Sequence, residues 1–117
     1  LDGVRILGPK SIAVMTKNHL SEPSMNAAWE QMPTPDIGRP GFGFGLGFGV
    51  VTDAAAIGVL GSDGEYNWGG AAGTIFWVDP TEELVVVSLI QLMQSPWPLR
   101  ADVKVAVYQA LTEIYEE

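Results

Sequence analysis

The chain has 117 residues, no cysteine, a single histidine and a formal net charge of −8. That length admits one domain with a modest core, and an apolar content of 47% rules out a disordered chain despite the charge. The acidity, with Arg5, Lys10, Lys17, Arg39, Arg100 and Lys104 scattered, excludes nucleic acid as a partner, because neutralising phosphates needs clustered Lys and Arg.

Without Cys, and with His19 alone, neither a disulfide nor a Cys-based or multi-His zinc centre can form within one chain. No metal or other cofactor is expected. No uninterrupted apolar span reaches the roughly 20 residues a membrane helix needs; residues 84–93 cover about half of that and include Ser88 and Gln91. The opening LDGVRILGPK has neither initiator Met nor signal pattern, so it is expected to be an interior start.

Residues 8–19, GPKSIAVMTKNH, read as a short helix, with Pro9 early and Ile12, Met15 and His19 on one face. His19 reads as a helix C-terminal residue, favourable with the dipole. Residues 20–40 carry Pro23, Pro33, Pro35 and Pro40 and read as a long irregular loop, with one helical turn near 26–31.

Between 41 and 49 the chain reads GFGFGLGFG. The glycines fall at i, i+2 and i+4, which does not match G-x-G-x-x-G, and the following VVTDAAAIG offers no clear helix N-terminus; no Gly-Lys-Ser/Thr occurs either. Phosphate binding is therefore set aside. As one strand over 42–52, Phe42, Phe44, Leu46, Phe48 and Val50 point into a core, and Gly43, Gly45, Gly47 and Gly49 leave a bare face. Bare glycine in a strand marks a close neighbour, either a packed helix or a substrate channel.

A turn at 61–64 leads to a short strand at 65–68. Residues 73–78 and 84–92 are rich in β-branched and aromatic residues and form a hairpin, joined by DPTEE with Pro80 in the turn and the acids in water. Pro98 opens a helix to about Tyr115, with Leu99, Val103, Val107, Ala110, Leu111 and Ile114 as its apolar stripe. The fold class is therefore α+β: an antiparallel sheet of about four strands, flanked by a short N-terminal and a long C-terminal helix. The hairpin is apolar on both faces, which two helices hardly cover, so further layers are expected from more chain or another subunit.

A catalytic engine is absent from the sequence. None of the serines has Lys three residues on, and no G-x-S-x-G elbow exists. A Ser-His-Asp set would have only His19 to use. The pairs Glu82-Glu83 and Glu116-Glu117 read as solvated charges. In EYNWGGAAGTIFWVDP, residues 65–80, the small residues from Gly69 to Gly73 either let a ligand or another backbone approach or simply make a tight connection.

That stretch, continued as TEELVVVSLIQLM, resembles the C-terminal strands of serine β-lactamase-like enzymes, penicillin-binding proteins and the related esterases. In the esterase-type branch the third motif is commonly Trp-Gly-Gly, as at Trp68-Gly69-Gly70. The preceding FGLGFGVVTD is similar to the family's strand before that motif, and RILGPKSIAVMTKNHL to its flanking helix. The resemblance covers nearly the whole chain.

It implies an α/β sandwich with helices on both faces, of which residues 1–117 would be a single partial domain, the C-terminal portion. The nucleophile Ser-x-x-Lys and the Tyr-x-Asn motif would lie upstream; Tyr66-Asn67 is adjacent and is not the latter. Carried over, Trp68, Gly69 and Gly70 would wall the acyl cleft and Ala71 N–H would match an oxyanion-hole donor, with no catalytic side chain in this chain. Trp68 in place of Lys or His favours ester over β-lactam substrates. Trp29 and Met32 would rim the acyl pocket. The partners implied are a small ester or amide substrate and either an N-terminal portion or a second copy covering the sheet, with no membrane span. A non-catalytic, self-associating module is the alternative.

Overall fold

A computed structural model describes residues 3–21, Ala27 and 39–114. Most of the expected loop over 20–40, with its helical turn, Trp29 and Met32, lies outside the described residues.

Helix α1 spans Pro9–Met15, with Pro9 in the first turn, where its missing N–H is no loss. It is shorter than the expected 8–19 because the chain beyond it is claimed by the sheet. The Met15 carbonyl accepts from Leu46 N–H (2.8 Å), and His19 N–H donates to the Phe44 carbonyl (2.8 Å). His19 is therefore not in the helix's last turn as expected but lies beyond Thr16, and only its ring reaches back, Nε2 donating to the Val14 carbonyl at 2.7 Å.

The expected single strand over 42–52 is a hairpin, β1 (Phe42–Phe44) and β2 (Gly49–Val51), paired antiparallel. The chain reverses through Gly47, whose φ of +100° suits glycine, and Gly45 N–H closes onto the Phe48 carbonyl at 2.7 Å. The alternating apolar residues therefore do not share one inward face. Phe42 and Val50 are buried, but Leu46 stands at the tip, 52% exposed.

The close neighbour of the bare glycines is this chain itself. A Cβ at Gly43 would strike the Asn18 side chain, and one at Gly45 the Met15 carbonyl. Asn18 clasps the edge of β1: its Oδ1 accepts from Phe44 N–H and Leu20 N–H, both at 3.0 Å.

A helical turn that the sequence reading missed follows, α2 (Ala54–Ile57). Asp53 caps it by accepting from Ala56 N–H at 2.8 Å, Asp63 Oδ1 accepts from Ala54 N–H at 2.8 Å, and Gly58 ends it at φ +75°. It was missed because one turn of alanines carries no apolar periodicity.

Strands β3 (Tyr66–Gly69), β4 (Ile75–Asp79) and β5 (Leu84–Ser88) complete a five-stranded antiparallel sheet in the order β1-β2-β3-β4-β5. The count exceeds four because the glycine-rich segment folds back on itself. The β4–β5 hairpin forms where expected, with Asp79 opposite Leu84, but its second strand stops at Ser88 and not at 92, because residues 90–92 turn to bond the 72–74 corner. Its acids are not all in water: Asp79 is fully buried, and its Oδ1 accepts from Thr81 and Glu82 N–H at 3.1 and 3.2 Å.

Helix α3 covers Leu99–Gln109, stopping short of Tyr115. Its end tightens through bonds from Ala110 N–H to Val107 O and from Leu111 N–H to Tyr108 O. Ile114 of the expected stripe is largely exposed, so a longer helix would bury nothing there. On the sheet α3 meets the face formed by Glu65, Asn67, Trp77 and Asp79, where the Tyr108 ring stacks on Trp77 at 6.4 Å and 17°.

The other face carries Tyr66, Phe76, Val78, Val85 and Val87, paired across the register. Phe48 packs on Tyr66 and Phe76, with centroids at 5.3 and 6.4 Å, but Val85 and Val87 are 64% and 60% exposed. One face of the doubly apolar hairpin is covered by α3. The other lies open among the described residues.

Candidate functional site

The Trp-Gly-Gly segment lies where β3 ends and the chain turns into β4. Gly69 pairs with Ile75, after which Gly70 N–H donates to Thr74 O (2.8 Å) and Gly73 N–H to Gly70 O (2.9 Å). Gly73 takes φ +86°, and a Cβ there would come within 2.5 Å of Ile90 Cδ1. That position needs glycine twice over, for conformation and for space.

Residues 90–92 back the corner. Leu92 N–H donates to Ala72 O at 2.9 Å, and Thr74 Oγ1 donates to Ile90 O at 3.3 Å. The bonds closing the corner use the N–H groups of Gly70 and Gly73; that of Ala71 takes no part in either. Gly70 and Ala71 are exposed, whereas Trp68 and Gly69 are half-buried. Trp68 is fixed edge-on against Phe44, with centroids 5.1 Å apart and planes at 84°.

So Trp68, Gly69, Gly70 and Ala71 lie together in one hydrogen-bonded corner, with Gly70 and Ala71 exposed. His19 is held beyond the end of α1 by its own backbone and ring bonds. Among the described residues, no group of three His, Cys, Asp or Glu is arranged to hold a metal ion.

One residue beside the corner escaped the sequence reading. A Cβ at Gly69 would come within 2.5 Å of an Arg100 guanidinium nitrogen. The first turn of α3 therefore lays Arg100 against the motif strand where glycine leaves room.

A second group was also missed. At the start of β3, Lys104 bridges both oxygens of Glu65 at 2.7 Å. The Tyr108 hydroxyl lies 2.6 Å from Asp79 Oδ2 and 3.2 Å from Glu65 Oε2. Both carboxyl residues are 0% exposed. Burial pushes the Glu65 carboxyl above its ordinary range, against the pull of Lys104 and Tyr108. Burial and the Asp79 hydrogen bond push the Tyr108 hydroxyl well above the usual phenol range. The available signal was the spacing: Arg100, Lys104 and Tyr108 recur at i, i+4 and i+8, a polar stripe beside the apolar one.

The family model described as Beta-lactamase matches residues 5–110. This chain belongs to the β-lactamase family. Protein Rv1367c of Mycobacterium tuberculosis (strain ATCC 25618 / H37Rv) is 38% identical over an alignment of 97 residues, with 78% of this chain and 22% of that protein covered. The uncharacterized protein MT1414 of strain CDC 1551 / Oshkosh matches to the same extent.

Among solved structures, EstCE1, a hydrolase with promiscuous acyltransferase activity, superposes with a TM-score of 0.68 at 30% identity, over 88% of this chain and 25% of that one. Simvastatin synthase (LovD) from Aspergillus terreus superposes with a TM-score of 0.66 at 20% identity, over 92% of this chain and 30% of that one, and shares the fold. The chain thus spans about a quarter of the length of these family members. The antiparallel sheet with its helices corresponds to that portion of the β-lactamase fold.

Proposed function

We propose that the chain supplies the third-motif wall of an acyl-enzyme site in a serine hydrolase, of the esterase type. In this reading Trp68, Gly69 and Gly70 line the acyl cleft and Ala71 N–H donates to the oxyanion. A donor of that kind contributes about 3–4 kcal/mol to transition-state stabilisation in serine hydrolases. The observation that carries the reading is the exposed corner itself: its closing bonds use the N–H groups of Gly70 and Gly73 and neither of the two between them, of which Ala71 is on the exposed side.

The nucleophile comes from a Ser-x-x-Lys portion that this sequence does not contain. The substrate is a small ester or amide. Trp68, where other branches carry a cation or polar donor, favours an ester. In this reading the exposed face with Val85 and Val87 is where the Ser-bearing portion covers the sheet.

The test is hydrolysis of p-nitrophenyl butyrate. The chain alone is expected to be inactive, and activity is expected when the Ser-bearing portion is supplied, falling on Ala71→Pro, which removes the donor N–H. Enzymic turnover by the 117-residue chain alone, lost on mutating one of its own serines, would sink the proposal.

The open apolar face also favours a second reading, a non-catalytic module that self-associates through β5. Light scattering separates the two: a stable dimer that Val87→Asp dissolves supports the module, and a well-behaved monomer removes it. A ligand groove along Gly43 and Gly45 has no support, since Asn18 and the Met15 carbonyl fill that space.

A further inference from the structure

The buried group at the foot of α3 has a proton count that its geometry constrains. Tyr108 has one hydroxyl proton but approaches two carboxyl groups, Asp79 Oδ2 at 2.6 Å and Glu65 Oε2 at 3.2 Å. With both carboxyls ionised, that proton serves only one of them, and the other contact sets a lone pair against an anion.

The short contact and the neighbours say where the hydroxyl proton goes. Asp79 accepts from two backbone N–H groups through Oδ1, leaving Oδ2 for the Tyr108 hydroxyl. A proton on Glu65 Oε2 can then point at the Tyr108 oxygen. Both contacts become hydrogen bonds in one direction, Glu65 to Tyr108 to Asp79.

The charge count agrees. Two fully buried carboxylates face one ammonium, Lys104, so the doubly ionised group carries one uncompensated negative charge out of water. A single proton brings the group to neutrality.

The other groups facing it do not supply the missing positive charge. The 61–64 turn contributes Gly61, packed against Glu65 Oε2 and Lys104, and Asp63, which is bonded to Ala54 N–H. The β4–β5 turn brings acidic Glu82 to the shallow hollow beside Tyr108. On β3, Asn67 donates to Glu65 Oε1 at 3.4 Å. On α3 the remaining cation, Arg100, lies one turn away against Gly69.

We propose that Glu65, Asp79, Lys104 and Tyr108 form a one-proton latch between α3 and the sheet, closed while Glu65 holds a proton and loosened when rising pH removes it. The direction of the Glu65 shift supports the sign. A carboxyl raised above its unfolded value of 4.5 contributes stability that is complete below that pH. The contribution is lost as pH rises through the folded value. Helix α3 is therefore expected to dock most tightly in mild acid.

The experiment uses the 117-residue chain with carbon-13 at its carboxyl groups, titrated from pH 4 to 9. One glutamate carbon is expected to titrate well above the other glutamate carbons and to be missing in Glu65→Gln. In parallel, amide exchange along α3, corrected for its intrinsic pH dependence, is followed in both proteins. Protection in the wild type should fall by up to about tenfold per pH unit through that midpoint, the limit for one linked proton. In Glu65→Gln it should stay flat. A Glu65 carbon that titrates with the other glutamate carbons overturns the latch, with or without a folded variant. So does an unchanged α3 pH dependence in Glu65→Gln.

Discussion

Strand β3 has two ends that lie under the same helix and are built in opposite ways. At its start, Glu65 is wholly buried and tied to Lys104 and Tyr108 of α3. At its far end Gly69 has no side chain, Arg100 takes the space, and Gly70 and Ala71 face outward. One end holds the helix with charges that are almost wholly buried. The other presents backbone that a ligand can reach. The difference teaches how one strand divides its labour: helix α3 is anchored at one end, which leaves the other free to turn as exposed backbone.

That contrast can be broken most severely from the anchored end. Lys104→Met leaves two buried carboxylates without their cation, and breaking such a pair costs about 3–5 kcal/mol. Urea unfolding should show this loss, and the loss should shrink as falling pH returns a proton to Glu65, whose carboxyl burial holds above its ordinary range. At the corner the effects should be smaller and local. Gly73→Ala combines φ +86° with contact against Ile90, for a cost of about 1–3 kcal/mol. It should also disturb amide shifts at residues 90–92.

Gly69→Ala should cost about 1 kcal/mol, since its neighbour is the flexible end of Arg100 and only Thr74 O is backbone. Part of that cost should disappear in an Arg100→Ala background, so a double-mutant cycle on thermal unfolding measures the coupling. The smallest effect belongs to the open face. Val87→Thr should change the stability of the monomeric chain by no more than about 0.5 kcal/mol. The same substitution should weaken binding of whatever covers β5, read by titration with the Ser-bearing portion.

Much of this was legible in the residues. The β4–β5 hairpin announced itself by two β-branched runs around DPTEE, and Trp68-Gly69-Gly70 by its place between strand signals. The glycine alternation was legible as a strand with a close neighbour, but not as a hairpin. Period-two alternation continues unbroken through a two-strand reversal, and only Gly47's positive φ tells the cases apart. Asp79 was misread as solvated because turn acids usually are; what buries it is Tyr108, 29 residues later. Lys104 read as one scattered cation for the same reason, as its partner lies 39 residues away.

Local pattern was enough for the class of the fold, the β4–β5 hairpin and the helices on either side of the sheet segments, because each rests on neighbouring residues or on composition. Long-range packing was needed to decide which sheet face α3 covers and which stays open. It also decided which glycines are filled by their own chain, and that two carboxyls and a lysine share one buried site. Those features depend on contacts between segments far apart in sequence, and the energy of burying a charge exists only once the chain has closed around it.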